Sequence, residues 1–127
     1  MLVPAVAMAN AHQGRTFRYL FTWEVAPRAD GLPLRACHAA DLPFTFDSLA
    51  RLGWDTWTGA DRDAAVGAAL VDAMVDAMGD AMGDAWCAFA RDGDPGWPGL
   101  GSGQVMEFGR ECGVRDDPMA TRLSVWA

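Results

Sequence analysis

The sequence predicts an α/β fold, with a sheet that has helices packed against it. Three observations carry this prediction: an alternating aromatic segment, a long segment with an apolar residue at every third or fourth position, and turns rich in glycine and proline between them. The chain has 127 residues, of which 51% are hydrophobic. It is therefore one domain at most, with enough apolar residues for a core.

The first element is a short helix predicted over residues 4–13. Pro4 is tolerated in a first helical turn, alanine is abundant, and Gly14 can form a left-handed cap after the last turn. His12 falls near the end of this helix, where a positive charge suits the helix dipole. We therefore interpret His12 as a surface residue.

The second element is a strand predicted over residues 16–23. Four aromatic residues alternate along it and share one side: Phe17, Tyr19, Phe21 and Trp23. Leu20 lies on the opposite side, which indicates that both faces are at least partly covered, as in a parallel sheet flanked by helices.

His38 follows on a predicted loop, between small residues and the run Leu-Pro-Phe-x-Phe. Pro43 has no N–H for a ladder or a helix and favours an extended Leu42. Loops held by rigid elements often carry catalytic groups, and an imidazole can accept and return a proton near neutral pH. His38 is therefore the candidate general base. Beyond it lies an aromatic-rich stretch for which we favour plain core packing over the lining of a substrate pocket: Phe44, Phe46, Leu49, Leu52, Trp54 and Trp57.

A long helix is predicted over residues 61–91, capped by Asp61 and ended by the Asp- and Gly-rich residues 92–96. Its apolar stripe is predicted to pack as adaptable core: Leu70, Met74, Met78, Met82, Ala85 and Phe89. Glycines at 79 and 83 make this the weak part of the helix.

A four-residue repeat runs through the same helix, at residues 71–74, 75–78, 79–82 and 83–86. Each unit turns the helix face by roughly 40°, because four residues overshoot a 3.6-residue turn. The repeated acids form a drifting ridge: Asp72, Asp76, Asp80 and Asp84. A straight helix does not converge its carboxylates on one ion, so we predict no metal site.

The last part of the chain is predicted to hold two short elements. Residues 104–108 form a short edge strand, and Asp117 caps a final helix with Pro118 at its first position, running towards Trp126. Three cysteines without a metal-binding spacing predict free, buried thiols: Cys37, Cys87 and Cys112.

Charge and hydropathy exclude several partners. The net charge of −7 argues against nucleic acid and anionic membrane surfaces, because there is no basic patch to neutralise phosphates. No apolar run approaches the ~20 residues of a membrane helix. The first nine residues are briefly apolar but lack the basic region of a signal peptide, which favours a cytoplasmic location without establishing one.

Several segments, in order, resemble the carboxyl-terminal quarter of type-B carboxylesterases of the para-nitrobenzyl-esterase kind. They are Phe21 with Trp23, Ala-Cys-His-Ala-Ala-Asp-Leu-Pro-Phe-Thr-Phe at 36–46, Ala-Trp-Cys-Ala-Phe-Ala-Arg-Asp-Gly-Asp-Pro at 85–95, Trp97-Pro98, and Asp116-Asp117-Pro118. The resemblance implies the carboxyl-terminal portion of an α/β-hydrolase fold, as one segment over residues 1–127 with a sheet that is incomplete in isolation.

The resemblance also implies a role for His38. It matches the triad base of the family motif His-x-x-Glu-Leu-Pro-Phe, and Asp41 stands in place of the usual Glu with the same charge and a shorter reach. In the family the Gly-x-Ser-x-Gly elbow, the oxyanion motif and the acid all lie upstream of the matching region. Ser48, Ser102 and Ser124 lack the elbow pattern. The chain alone is therefore expected to be inactive, and no cofactor is implied.

Three functions follow as hypotheses. The first is the carboxyl-terminal part of a serine carboxylesterase that acts on a small ester substrate, once the upstream portion of the esterase completes it. The second is a non-catalytic, esterase-derived dimerisation or binding module. The third, an acid-rich helical cation binder, has the least support. With few strands to form a sheet, the isolated chain is expected to self-associate as a homo-oligomer or swapped dimer, or to require that upstream portion.

Overall fold

The computed structural model describes residues 2–24, 35–48 and 65–120. Within these ranges the order of elements is α1 (Leu2–Ala11), β1 (Tyr19–Phe21), α2 (Leu42–Thr45), α3 (Ala65–Asp92), β2 (Gln104–Phe108) and β3 (Gly113–Asp116). This alternation of helices and strands confirms the predicted α/β class.

The three strands form one mixed sheet in the order β1-β2-β3. β1 runs parallel to β2, with Tyr19 opposite Met106 and Phe21 opposite Phe108. β2 and β3 form an antiparallel pair. The predicted strand at 104–108 is confirmed with the same bounds, but its predicted edge position is wrong, because β2 is the central strand of the described sheet. β3 was not predicted, because its side chains are mostly exposed and show no apolar alternation.

β1 is shorter than the predicted strand over 16–23. Its ladder covers three residues, and one more hydrogen bond follows it, from Thr22 N to Phe108 O at 2.8 Å. The ladder stops there because β2 itself ends at Phe108. The aromatic side is confirmed, since Phe17 contacts Phe89 of α3 and Tyr19 contacts Trp86.

α3 ends as predicted. Gly93 adopts a positive φ of 69°, and its N–H donates to Phe89 O at 2.8 Å, which closes the last turn. The predicted start falls at residues 61–64, outside the described residues. Met78, Met82 and Ala85 of the predicted apolar stripe are buried and Met74 is partly buried, so this part forms core. Phe89 is 41% exposed, so its predicted burial is wrong, and the side chain of Leu70 lies outside the described residues. The repeated acids Asp76, Asp80 and Asp84 are exposed.

One hydrophobic core joins α2, α3 and the sheet. Its buried members are Trp23, Phe44, Val75, Met78, Met82, Ala85 and Phe108. The core therefore lies on one face of the sheet and holds α2 against α3 and β1.

α1 begins and ends two residues before its predicted bounds. His12 N donates to Met8 O at 3.1 Å, and Gly14 does not have a positive φ, so the expected glycine cap is absent. His12 is exposed, as predicted. Arg15, in the connection to β1, forms an ion pair with Asp94 at 2.8 Å.

The cysteine prediction is half right. All three thiols are free, but only Cys37 is even partly buried. Cys87 lies on the exposed side of α3, and Cys112 lies in the exposed connection between β2 and β3, so neither reaches the core.

After β3 the chain makes a turn in which Met119 N donates to Asp117 Oδ1 at 2.9 Å. Asp117 also forms a largely buried ion pair with Arg18. The predicted helix towards Trp126 depends on residues 121–127, which lie outside the described residues. Among the helices that the structure describes, none is long and apolar enough to cross a membrane.

Candidate functional site

His38 lies in a tight turn that leads into α2. Ala40 N donates to Cys37 O at 3.2 Å, and Leu42 N donates to Ala39 O at 3.3 Å. Ala39 has a φ of 65°, which is uncommon for a residue with a Cβ. The His38 side chain is exposed, while Ala40 two residues later is only 2% exposed. The imidazole is therefore exposed to solvent, while the backbone that follows it is packed against the rest of the chain.

The turn is followed by a helix rather than by the extended Leu42 that the sequence predicted. Phe44 N and Thr45 N both donate to Asp41 O, at 3.2 and 3.0 Å. Pro43 occupies the first turn of this helix, where a backbone N–H would have no helical partner. The prediction was wrong because proline is compatible with that one helical position.

A first contact ties the turn to the sheet. The Tyr19 hydroxyl donates to Asp41 Oδ2 at 2.7 Å. Asp41 is the N-cap residue of α2 but makes no side-chain capping bond. The Tyr19 ring packs edge-to-face against Trp86 of α3 and Phe108 of β2, with centroid distances of 6.3 and 5.6 Å. The sequence reasoning placed Tyr19 in the aromatic side of a strand and missed this polar contact.

The same contact changes the acidity of Tyr19. Burial raises the pKa of its phenol well above the usual value, and the hydrogen bond to Asp41 and the negative charge of that carboxylate raise it further. The hydroxyl therefore stays protonated and remains a donor to Asp41 well into the alkaline range.

A second contact holds the other end of α2. Phe44 is 2% exposed and packs against Phe21 and Trp23, with ring centroids 5.4 and 6.4 Å apart. Core packing of Phe44 is thus confirmed. Phe46 is 71% exposed, so its predicted burial is wrong. Leu49, Leu52, Trp54 and Trp57 lie outside the described residues.

Neither of the two described serines has the surroundings of a nucleophile elbow. Ser48 follows α2, with its N–H donating to Pro43 O at 2.9 Å, and Ser102 forms a turn with Gln104 before β2. Neither follows a strand into a helix, as a nucleophile elbow does. Ser124 lies outside the described residues. Within the described ranges no carboxylate is hydrogen-bonded to the His38 side chain.

His12 and His38 do not line a common cavity. His12 lines a cavity of about 460 Å³ together with Tyr19, Trp86 and Phe89, and no residue of the His38 turn contributes to it. In the part of the chain that the structure describes, no group of three or more His, Cys, Asp or Glu side chains is arranged to hold a metal ion.

Comparisons with known proteins identify the fold. No protein-family model matches the chain. A carboxylesterase from Geobacillus stearothermophilus is 28% identical, with a TM-score of 0.62, over 90% of this chain and 22% of that one. An esterase from Clostridium hathewayi that can hydrolyse aliphatic aromatic polyesters is 24% identical, with a TM-score of 0.59, over 94% and 22%. A PNB esterase is 24% identical, with a TM-score of 0.65, over 95% and 24%.

The chain thus has a partial α/β-hydrolase fold and spans less than a quarter of the length of the esterases that it matches. The likeness covers 90–95% of this chain.

Proposed function

We propose that this chain supplies the general base of a serine carboxylesterase, and that the base is His38. The nucleophilic serine, the orienting acid and the oxyanion hole come from polypeptide beyond these 127 residues, either the upstream portion of the same esterase or a partner chain. The substrate is a small carboxylic ester.

The chemistry assigned to His38 is two rounds of proton transfer. The imidazole takes the serine proton as the serine oxygen attacks the ester carbonyl, and it gives that proton to the leaving alcohol. It then takes a proton from water as the water attacks the acyl-enzyme, and it returns the proton to the serine oxygen. The acid is released and the imidazole is neutral again.

One observation carries the proposal: an exposed imidazole projects from a turn that is fixed at two points. A base must reach a serine that another part of the protein holds, and it must do so from a rigid support. The 28% identity to a carboxylesterase over 90% of this chain adds independent support.

A reconstitution experiment tests the proposal. The Geobacillus stearothermophilus carboxylesterase is prepared without the segment that matches this chain, and the purified chain is added. We expect hydrolysis of para-nitrophenyl acetate that neither part shows alone. The esterase's own segment, added back in the same way, is the positive control. If the control is active and the addition of this chain gives no ester hydrolysis, the result contradicts the proposal, whether or not a complex forms.

A second candidate function is a non-catalytic dimerisation or binding module. It is favoured by the exposure of Leu42 in α2 and of Phe46 just after α2, and by the edge of β1 away from β2, which pairs with no other described strand. This function predicts a defined oligomer in light scattering that Phe46→Ser weakens, with no turnover in any reconstitution. A monomeric chain would contradict self-association. Ester hydrolysis in the reconstituted esterase would contradict a non-catalytic function.

A further inference from the structure

We propose that Tyr19 and Asp41 are positioning residues for His38, because their hydrogen bond fixes the turn from which the imidazole projects. The catalytic consequence rests on the function proposed above, whereas the effect on the turn is a property of this chain alone.

Tyr19 is a rigid support for the turn. Its ring is held between Trp86 of α3 and Phe108 of β2, and Tyr19 itself pairs with Met106 in the parallel ladder. The position of the Tyr19 hydroxyl is therefore fixed by both the helix and the sheet. A residue that accepts a hydrogen bond from this hydroxyl is held in place by the same two elements.

Asp41 holds the end of the turn through both its backbone and its side chain. It lies three residues after His38, and its backbone carbonyl accepts hydrogen bonds from Phe44 N, Thr45 N and Thr45 Oγ1. Its side chain makes no capping bond and accepts a hydrogen bond from the Tyr19 hydroxyl, with 2.7 Å between the hydroxyl oxygen and Oδ2. Asp41 thus joins the end of the turn and the start of α2 to the sheet through a single residue.

The backbone of the turn has an unfavourable conformation that requires such a support. Ala39, next to His38, holds a φ of 65°, a conformation that residues with a Cβ keep only where the surroundings enforce it. A hydrogen bond to an ionised carboxylate is about twice as strong as a neutral one, so the Tyr19–Asp41 bond is suited to that task. The raised pKa of Tyr19 keeps the donor protonated at every pH at which an esterase works.

Amide hydrogen exchange in the isolated chain tests the effect on the turn. Tyr19→Phe keeps the ring and removes only the hydroxyl. We expect exchange at Ala40 and Leu42, whose N–H groups close the turn, to become about tenfold faster. The matched control is Thr22→Val, which removes another hydroxyl-to-carboxylate bond of 2.7 Å, from Thr22 to Glu107, away from the turn. The control is expected to leave exchange at both amides within about twofold.

Asp41→Ala and the double variant keep the test decisive. If the two residues act only through each other, the double variant exchanges no faster at Ala40 and Leu42 than either single variant. A purely structural role would instead speed exchange throughout the sheet, including β2. Unchanged exchange at the two amides in Tyr19→Phe, or faster exchange everywhere, would overturn the proposal.

The reconstituted esterase gives a second, separate readout. Tyr19→Phe is expected to lower kcat for para-nitrophenyl acetate by about tenfold or more with KM unchanged, because a displaced base affects proton transfer and not ester binding. If the wild-type chain gives no activity, the proposed function fails, and the exchange result still decides the role of the pair. If His38 is required but Tyr19→Phe keeps full kcat, the positioning role fails and the function stands.

Discussion

The imidazole of His38 is exposed, while Ala40 and Phe44 on either side of Asp41 are almost completely buried. This contrast allows one side chain to reach a separate surface while the backbone that carries it stays packed. The polar contact beneath it, from Tyr19 to Asp41, is 2.7 Å long and partly buried. At the scale of residues, the proposed site consists of one accessible imidazole, His38, and the hydrogen-bonded pair Tyr19 and Asp41.

Tyr19 is the only tyrosine in the chain, so tyrosinate absorbance reports its ionisation alone. We predict ionisation at a pH clearly above the ~10 of a free phenol, and a shift back towards that value in Asp41→Ala. Because the folded-state pKa is raised, the stability that this group contributes is fully present below about pH 10 and is lost as the pH rises through the raised pKa. Ionisation near pH 10 in the folded chain would contradict the contact.

The sequence predicts His38 as the candidate base, with the charged Asp41 three residues later, because both match a contiguous motif. It did not allow the partner of Asp41 to be identified. Tyr19 is 22 residues away, and its alternation with Phe17 and Phe21 predicts only a place in the core. A contact of this kind depends on how the turn folds back over the strand, which local patterns do not encode.

At the scale of elements, Phe44 in α2 is buried, whereas Phe46, just after the end of α2, is exposed. Phe44→Ala is predicted to lower the free energy of unfolding by about 3–5 kcal/mol, because it leaves a cavity beside Phe21 and Trp23. Phe46→Ala, two residues on and 71% exposed, is predicted to change it by no more than about 0.5 kcal/mol. Urea denaturation of both variants measures the difference. Equal losses would contradict the described orientation of α2.

Substitutions at two glycines test two different effects, helix propensity at Gly83 and close packing at Gly109. A Cβ at Gly83 in α3 would meet nothing within 4 Å, so Gly83→Ala is predicted to stabilise the chain by up to about 1 kcal/mol. At Gly109, just after β2, a Cβ would collide with the Thr22 hydroxyl, so Gly109→Ala is predicted to destabilise. Thermal unfolding gives the sign in each case. A lower midpoint for Gly83→Ala would contradict the description of α3 as open on that side.

The elements differ in how well the sequence predicted them. The end of α3 and its buried methionines follow from local rules, namely a glycine after the last turn and apolar spacing of three or four. The central place of β2 and the existence of β3 do not, because they depend on pairing between strands. The helix at Leu42–Thr45 was missed because proline at its start resembles a helix-breaking signal.

At the scale of the whole molecule, the described sheet has three strands, and the chain matches only 22–24% of the length of the esterases that share its fold. Apolar side chains remain exposed on α1 and just after α2, namely Met8 and Phe46. Both facts agree with the proposed function, in which further polypeptide completes the core and the chemistry. The partial fold was expected from the sequence motifs, because they resemble only the carboxyl-terminal quarter of the esterases.

The most direct test of the central claim compares the two histidines of the chain in the reconstituted esterase. We predict that His38→Ala lowers kcat/KM for para-nitrophenyl acetate by at least about 10³-fold. His12→Ala, at an exposed histidine that does not line a common cavity with His38, is predicted to leave it within about twofold. Light scattering verifies that both variants still form the complex. Full activity in His38→Ala, or equal losses in the two variants, would contradict the assignment of His38 as the base.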